Sequence, residues 1–128
     1  MDIKRINIGN AVWSNELDLN TGDYNKKIVV VDRYIHNYIL TGNYLNKYTD
    51  IQLTASILMF NFGFDSSHNL GSRRFYNLGN IVLEECRGSD FPLYYPKNEL
   101  LCFVHSVSHL QNLYQFLSDS ELEFKIIE

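Results

Sequence analysis

Residues 91–104 constrain the fold of this chain more than any other stretch. Pro92 biases Phe91 away from the helical region, so Phe91-Pro92-Leu93-Tyr94-Tyr95 reads as extended. Pro96-Lys97-Asn98-Glu99 is turn chemistry, with proline at a position it favours. Leu100–Val104 is an apolar run of strand length, and the three pieces together predict a β-hairpin. Ser106 or Ser108 then caps a helix with Leu110, Leu113, Phe116 and Leu117 on one face. Ser118-Asp119-Ser120 ends it. Leu122, Phe124 and Ile126 alternate and predict a final strand, with Glu121 and Glu123 on its other face.

The earlier part of the chain is read the same way. Ile6 and Ile8 predict a short half-buried strand within residues 3–8, closed by Gly9-Asn10. Asn15–Gly22 is rich in Asn, Asp and Gly and reads as a loop. Ile28, Val31, Ile35, Tyr38 and Ile39 follow steps of three and four, which predicts a helix starting near Asp23 and ending at Gly42-Asn43. The β-branched run Ile28–Val31 argues for a strand instead, but length favours the helix. Asp50 is placed to cap a core helix over Ile51–Phe60 that ends near Gly63, and residues 64–74 read as an exposed loop. Phe75, Leu78, Val82 and Cys86 suggest a third helix capped by Ser72 and closed by Gly88, with a strand over Ile81–Cys86 as the competing reading. Asn-Leu-Gly recurs at 69–71 and 77–79, which is too little for a repeat architecture. The expected fold is α+β: a small, mostly antiparallel sheet packed against two to four helices, in one domain spanning 1–128.

Composition excludes several classes. With 128 residues and 45% hydrophobic content, the chain can bury a core without a metal or disulfide staple. The longest uninterrupted aliphatic or aromatic runs, Ile28–Val31 and Ile57–Phe60, fall far short of the ~20 residues of a membrane span. The N-terminal residues lack the apolar core of a signal peptide, and the 14 Asn include no Asn-x-Ser/Thr acceptor. Both observations lead to an expectation of a cytoplasmic protein. The net charge of −4 argues against a protein that coats nucleic acid.

No spacing declares an enzyme, and no cofactor or metal is expected. His105 and His109 are four apart, but Ser stands where His-Glu-x-x-His needs Glu. Cys86 and Cys102 read as reduced, buried thiols. Cys86, beside Arg87, is the one a neighbouring cation would activate. A small hydrolase or transferase using Cys86 or a His is therefore the alternative reading, with a structural subunit of a mobile element as a third. Arg73-Arg74 beside Phe75 and Tyr76 is the chain's basic–aromatic cluster and reads as a solvated loop edge.

Charge by region says more. Residues 1–64 hold six acidic and six basic residues, and residues 65–128 hold nine and five. The whole excess lies in the second half, which also carries Tyr94, Tyr95 and Tyr114. Acids interleaved with tyrosine suit docking onto a basic protein surface. Glu84, Glu85, Asp90, Tyr94, Tyr95 and Glu99 are the contact candidates, with Trp13 as a possible anchor.

The segment Phe91–Leu117 resembles the hairpin-then-helix ending of bacterial toxin-immunity proteins, those of contact-dependent growth inhibition and related polymorphic toxin systems. The likeness covers roughly the last third and lies in length, acidity and a strand–Ser–helix close. It implies a cytoplasmic protein that binds one cognate toxin, commonly a nuclease, and blocks its active site or substrate surface. It assigns no individual residue, so the contact candidates rest on charge and tyrosine alone.

Overall fold

A computed structural model describes residues 5–41, 47–68, 73–86, 90–96 and 99–126. The architecture is α+β, with two antiparallel sheets where one was expected. The chain forms two compact units, each assembled from two stretches: Met1–Ile51 with Val107–Glu121, and Gln52–Ser106 with Leu122–Glu128.

The first unit holds a three-stranded sheet in the order β2-β1-β3. β1 (Ala11–Leu17) and β2 (Tyr24–Val30) form a hairpin in continuous register from Ala11↔Val30 to Leu17↔Tyr24. Most of the expected Asn15–Gly22 loop therefore splits between strand and turn. Asp18 builds that turn: its N–H donates to the Asp23 carbonyl at 2.8 Å, and its carboxylate accepts from Asn20 N–H at 2.9 Å. Gly22 takes φ +77°, a conformation that glycine adopts without a Cβ clash.

The helix expected from Asp23 to Ile39 is two elements. Ile28-Val29-Val30 follow their β-branched preference into β2. Helix α1 spans only Arg33–Leu40, where the Asp32 carboxylate accepts from Ile35 N–H at 2.8 Å and so satisfies a first-turn donor. The three-and-four spacing of Ile28 and Val31 with Ile35 was coincidence across a strand–helix junction. The expected stop at Gly42-Asn43 lies outside the described residues. Residues 5–8, with half-buried Ile6 and exposed Ile8, form no strand.

β3 (Tyr48–Asp50) pairs with β1 from Val12↔Asp50 to Ser14↔Tyr48. Asp50 is thus a strand residue and not a helix cap; its carboxylate accepts from the Ser108 hydroxyl at 2.5 Å. Helix α2 (Val107–Ser118) stands where the sequence put it, with Leu110 and Leu113 buried. Phe116, expected on the same inner face, is 71% exposed. Every residue from Val107 to Leu113 is buried, polar ones included, so this half of the helix is enclosed all round.

Side-chain hydrogen bonds engage Ser108, Gln111 and Asn112 among those buried polar groups. Gln111 accepts from Ala11 N–H at 2.8 Å, and Asn112 accepts from the Asn10 amide at 2.9 Å. The Asn112 amide in turn donates to the Arg5 carbonyl at 2.7 Å. Replacing Asn112 by Ala removes both partners at a site only 1% exposed. The expected cost is about 1–3 kcal/mol, read from denaturant midpoints at constant m.

The second unit holds a five-stranded sheet in the order β4-β5-β6-β7-β8. It opens with an extended segment, Gln52–Thr54, where the sequence predicted helix. Gln52 bridges Ser106, and Leu53 N–H donates to the His105 carbonyl at 2.8 Å. Thr54 then accepts from Ile57 N–H at 3.2 Å and starts a short helical segment. This ends as a π-helical turn, Ile57–Asn61, and Gly63 closes it at φ +78°.

β4 (Asp65–His68) occupies part of the expected 64–74 loop. β5 (Arg74–Leu78) and β6 (Ile81–Glu84) replace the expected third helix. Gly79-Asn80 is the two-residue connection between Leu78 and its partner Ile81, and Gly79 takes φ +59°. The proposed cap Ser72, the first Asn-Leu-Gly copy and the stop at Gly88 lie outside the described residues.

β7 (Phe91–Tyr94) and β8 (Leu100–Val104) form the expected hairpin, from Phe91↔Val104 to Tyr94↔Leu100. Lys97 and Asn98 of its turn lie outside the described residues. Tyr76, Leu83 and Leu93 stand side by side on β5, β6 and β7, each 0% exposed, and form the centre of this core. The final segment keeps its alternation as far as Phe124, with Leu122 and Phe124 buried and Glu121 and Glu123 exposed, whereas Ile126, expected on the buried side, is exposed. It is not a ladder strand: it is tied to the π-helical turn by Lys125 N–H to the Asn61 carbonyl at 2.9 Å. Phe124 packs edge-on against Phe62 with ring centroids 5.3 Å apart.

Candidate partner-binding surface

The hairpin reading of β5–β6 decides where the two adjacent glutamates point. Neighbours on a strand face opposite sides. Glu84 shares its face with Phe75, its register partner on β5, and with Tyr94 on β7. Glu85 turns to the face of Tyr76.

On the first face Arg73 grips Glu84 with two hydrogen bonds of 2.6 Å, one to each carboxylate oxygen. Tyr94 donates a third from its hydroxyl at 2.9 Å. The Arg73 guanidinium also lies 5.1 Å from the Phe75 ring centroid, within cation–π reach. Arg73 keeps 52% of its side chain in solvent, while Glu84 keeps 10%. Arg73, expected as a solvated loop edge, is therefore the counter-ion of a nearly buried carboxylate. The sequence misses this role because the helix assignment hides the cross-strand neighbours. A Gly-Asn step between two apolar runs is the signal that could have found them.

The second face carries a looser version of the same pattern. The Tyr76 hydroxyl donates to Glu85 at 2.9 Å, and Arg74 approaches that carboxylate at 3.8 Å. Glu85 keeps 40% of its side chain exposed.

The hydrogen bonds from Arg73 hold the Glu84 carboxyl below the usual carboxylate range, against the opposing effect of burial. The hydrogen bond to Glu84 pushes the Tyr94 hydroxyl up. A carboxyl whose folded pKa lies below its unfolded one binds fewer protons when folded. Its contribution is complete above the unfolded value of about 4.3 and is lost as pH falls through the depressed folded value. Glu84→Gln should therefore lower the melting temperature at pH 7, and its deficit should shrink as wild type is titrated from about pH 5 to pH 2. Melting curves of both proteins across that range measure it.

The candidate residues are distributed as follows. Glu84 and Tyr94 touch directly. Glu85 and Asp90 lie at one end of the β6–β7 pair, because Leu83↔Leu93 runs antiparallel; both are exposed. Tyr95 and Glu99 meet at the other end, where Tyr95 N–H donates to the Glu99 carbonyl at 2.8 Å. Tyr94 and Tyr95 are half-exposed and Glu99 is exposed. Trp13 is half-exposed on β1 of the other unit, with the Lys26 ammonium 6.0 Å from its ring centre. Tyrosine is not confined to the acidic half either. Tyr34 on α1 is 76% exposed, and Tyr38 stacks edge-on with Tyr48 at 5.5 Å.

The rejected chemistry also has a location. His105 is exposed ahead of α2 and His109 is buried within it, so the pair does not share a helix face. Among the described residues no group of three or more His, Cys, Asp or Glu is placed to hold a metal ion. Cys86 is exposed, where burial had been expected. Its thiol is pushed up by partial burial and by the Glu84 charge, the reverse of activation. Arg87 lies outside the described residues. No helix among them is long and apolar enough to cross a membrane. Comparison with known protein families, curated proteins and solved structures yields no significant match.

Proposed function

We propose that this chain is an immunity-type inhibitor, which binds a cationic bacterial toxin, a nuclease, and covers its active site or substrate surface. The observation that carries the reading is the exposed set Glu85, Asp90 and Glu99 around β6–β8, with Tyr94 and Tyr95 half-exposed among them. A nuclease surface must attract phosphate, so it presents the lysines and arginines that such a set complements. The tyrosines add amphipathic contact area at low entropic cost. Glu84 and Arg73 neutralise one another, so their part is to fix Tyr94 from below. The hairpin and helix over Phe91–Leu117, which carry the immunity-protein likeness, are both present in the fold.

In this reading the protein acts in the cytoplasm on a partner encoded beside it. Co-expression with the product of the adjacent upstream reading frame tests it. A complex that survives co-purification, with rescue of cells expressing that product, is the expected result. Absence of both sinks the proposal.

A further inference from the structure

Three tyrosines and two carboxylates of the first unit come together around β3. Tyr38 on α1 meets Tyr48 on β3 with ring centroids 5.5 Å apart and planes at 87°, so the two rings form a corner. Tyr34 stands four residues before Tyr38, hence beside it on the same helix face. Ser14 of β1 is the register partner of Tyr48. Glu16, two residues further along β1, therefore shares the face of Tyr48, about 7 Å along the strand. Asp32 begins the helix, where one of its two carboxylate oxygens accepts from Ile35 N–H. Burial pushes the Tyr48 hydroxyl up, and Tyr38, Tyr34, Asp32 and Glu16 each add to that push, so all four lie within electrostatic reach of it. Asp32, Tyr34 and Glu16 are exposed, and Tyr38 and Tyr48 are half-exposed. Arg33 and Lys47 neighbour these residues in sequence, yet among the described residues no ion pair joins a Lys or Arg to Asp32 or Glu16.

We propose that Tyr34, Tyr38 and Tyr48, with Asp32 and Glu16 beside them, bind an arginine side chain of a partner protein. The negative face of an aromatic ring attracts a cation, and a carboxylate adds charge-assisted hydrogen bonds. A guanidinium meets both demands at once, because its flat face lies on a ring while its rim of N–H groups reaches a carboxylate. A lysine ammonium has no flat face and is more strongly hydrated. A quaternary ammonium has no N–H to give the carboxylates. The same combination is already built into the second unit, where Arg73 lies 5.1 Å from the Phe75 ring and binds Glu84 beside the Tyr94 hydroxyl. There the chain supplies its own guanidinium. The tyrosine site shares no residue with Glu85, Asp90 and Glu99, so it stands or falls apart from the inhibitor reading and is tested without a toxin.

The probe is N-acetylarginine amide, titrated at constant ionic strength into the full chain carrying isotope-labelled tyrosine and followed by NMR. One side chain on a half-exposed site binds weakly, with a Kd on the order of 1–10 mM. The signals of Tyr34, Tyr38 and Tyr48, assigned by single Tyr→Phe variants, should shift together and saturate. N-acetylcitrulline amide, which keeps the shape and loses the charge, should bind at least about tenfold more weakly. The lysine and trimethyllysine amides should each bind more weakly than arginine. Tyr34→Ala and Glu16→Gln change exposed side chains, so circular dichroism should be unaltered while the Kd rises about 3–10-fold. Tyr34→Phe keeps the ring and should keep the affinity. Absence of saturable shifts up to about 50 mM, equal binding of citrulline, or an unchanged Kd in both Tyr34→Ala and Glu16→Gln overturns the site. Lysine or trimethyllysine binding as tightly as arginine overturns its assignment to a guanidinium.

Discussion

Leu83→Ala is expected to cost about 2–5 kcal/mol, a large part of the 5–15 kcal/mol that holds a typical domain together. Leu83 is 0% exposed on the middle strand of the five-stranded sheet. Its register partners Tyr76 and Leu93 are equally enclosed, so the truncated side chain leaves a cavity that neither neighbour can fill without moving a strand. The melting temperature should fall by roughly 8–20 °C. Phe116→Ala is the control. That ring is 71% exposed, and its loss should stay within about 0.5 kcal/mol. Calorimetry or thermal circular dichroism on both variants separates the enclosed strand from the exposed helix face.

The second large effect concerns association. Converting Glu85, Asp90 and Glu99 together to Gln, Asn and Gln leaves the Arg73–Glu84–Tyr94 group intact. Folding should be unaffected, because all three side chains are exposed. On the inhibitor reading, binding to the proposed cationic toxin should slow by about 10–100-fold at low salt, with most of the loss in the on-rate. The difference should narrow at about 0.5 M salt, where the screening length falls to a few ångströms. Stopped-flow mixing at two ionic strengths measures it. An on-rate equal to wild type at low salt would place the contact elsewhere.

Legibility in the sequence followed the strength of local signals. The β7–β8 hairpin and α2 were readable because proline, turn residues, an apolar run and serine caps all pointed to one answer. β2 was passed over because its Ile28, with Val31 just beyond the strand, continues the spacing of α1 by chance, and the deciding signal, Asp32 as a cap, sits inside the apparent helix. β6 was legible only as the competing strand reading of Ile81–Cys86, for a different reason. Its four residues are all buried, so it lacks the alternation of a half-exposed strand. Phe75, Leu78, Val82 and Cys86 then mimicked a helix face. The buried amides of Gln111 and Asn112 could not be read at all, since their partners Asn10 and Ala11 lie about a hundred residues away.

The candidate surface was legible in composition and not in geometry. Counting acids located Glu85, Asp90 and Glu99, which are exposed. It also selected Glu84, whose charge is cancelled by an arginine that the sequence placed in a loop. Exposure depends on which strand neighbours which, and that information lies in the register. The acidic residues of the second half are divided between the two units: Asp119 and Glu121 belong to the one that holds α2, and Glu85, Asp90 and Glu99 belong to the other.

The most direct test of the inhibitor reading titrates the purified chain into the purified product of the adjacent upstream reading frame while nucleic-acid cleavage is followed. The reading predicts that cleavage falls linearly and stops at about one chain per toxin, as tight stoichiometric binding requires. Undiminished cleavage at about ten equivalents, with the mixture well above micromolar, would contradict it.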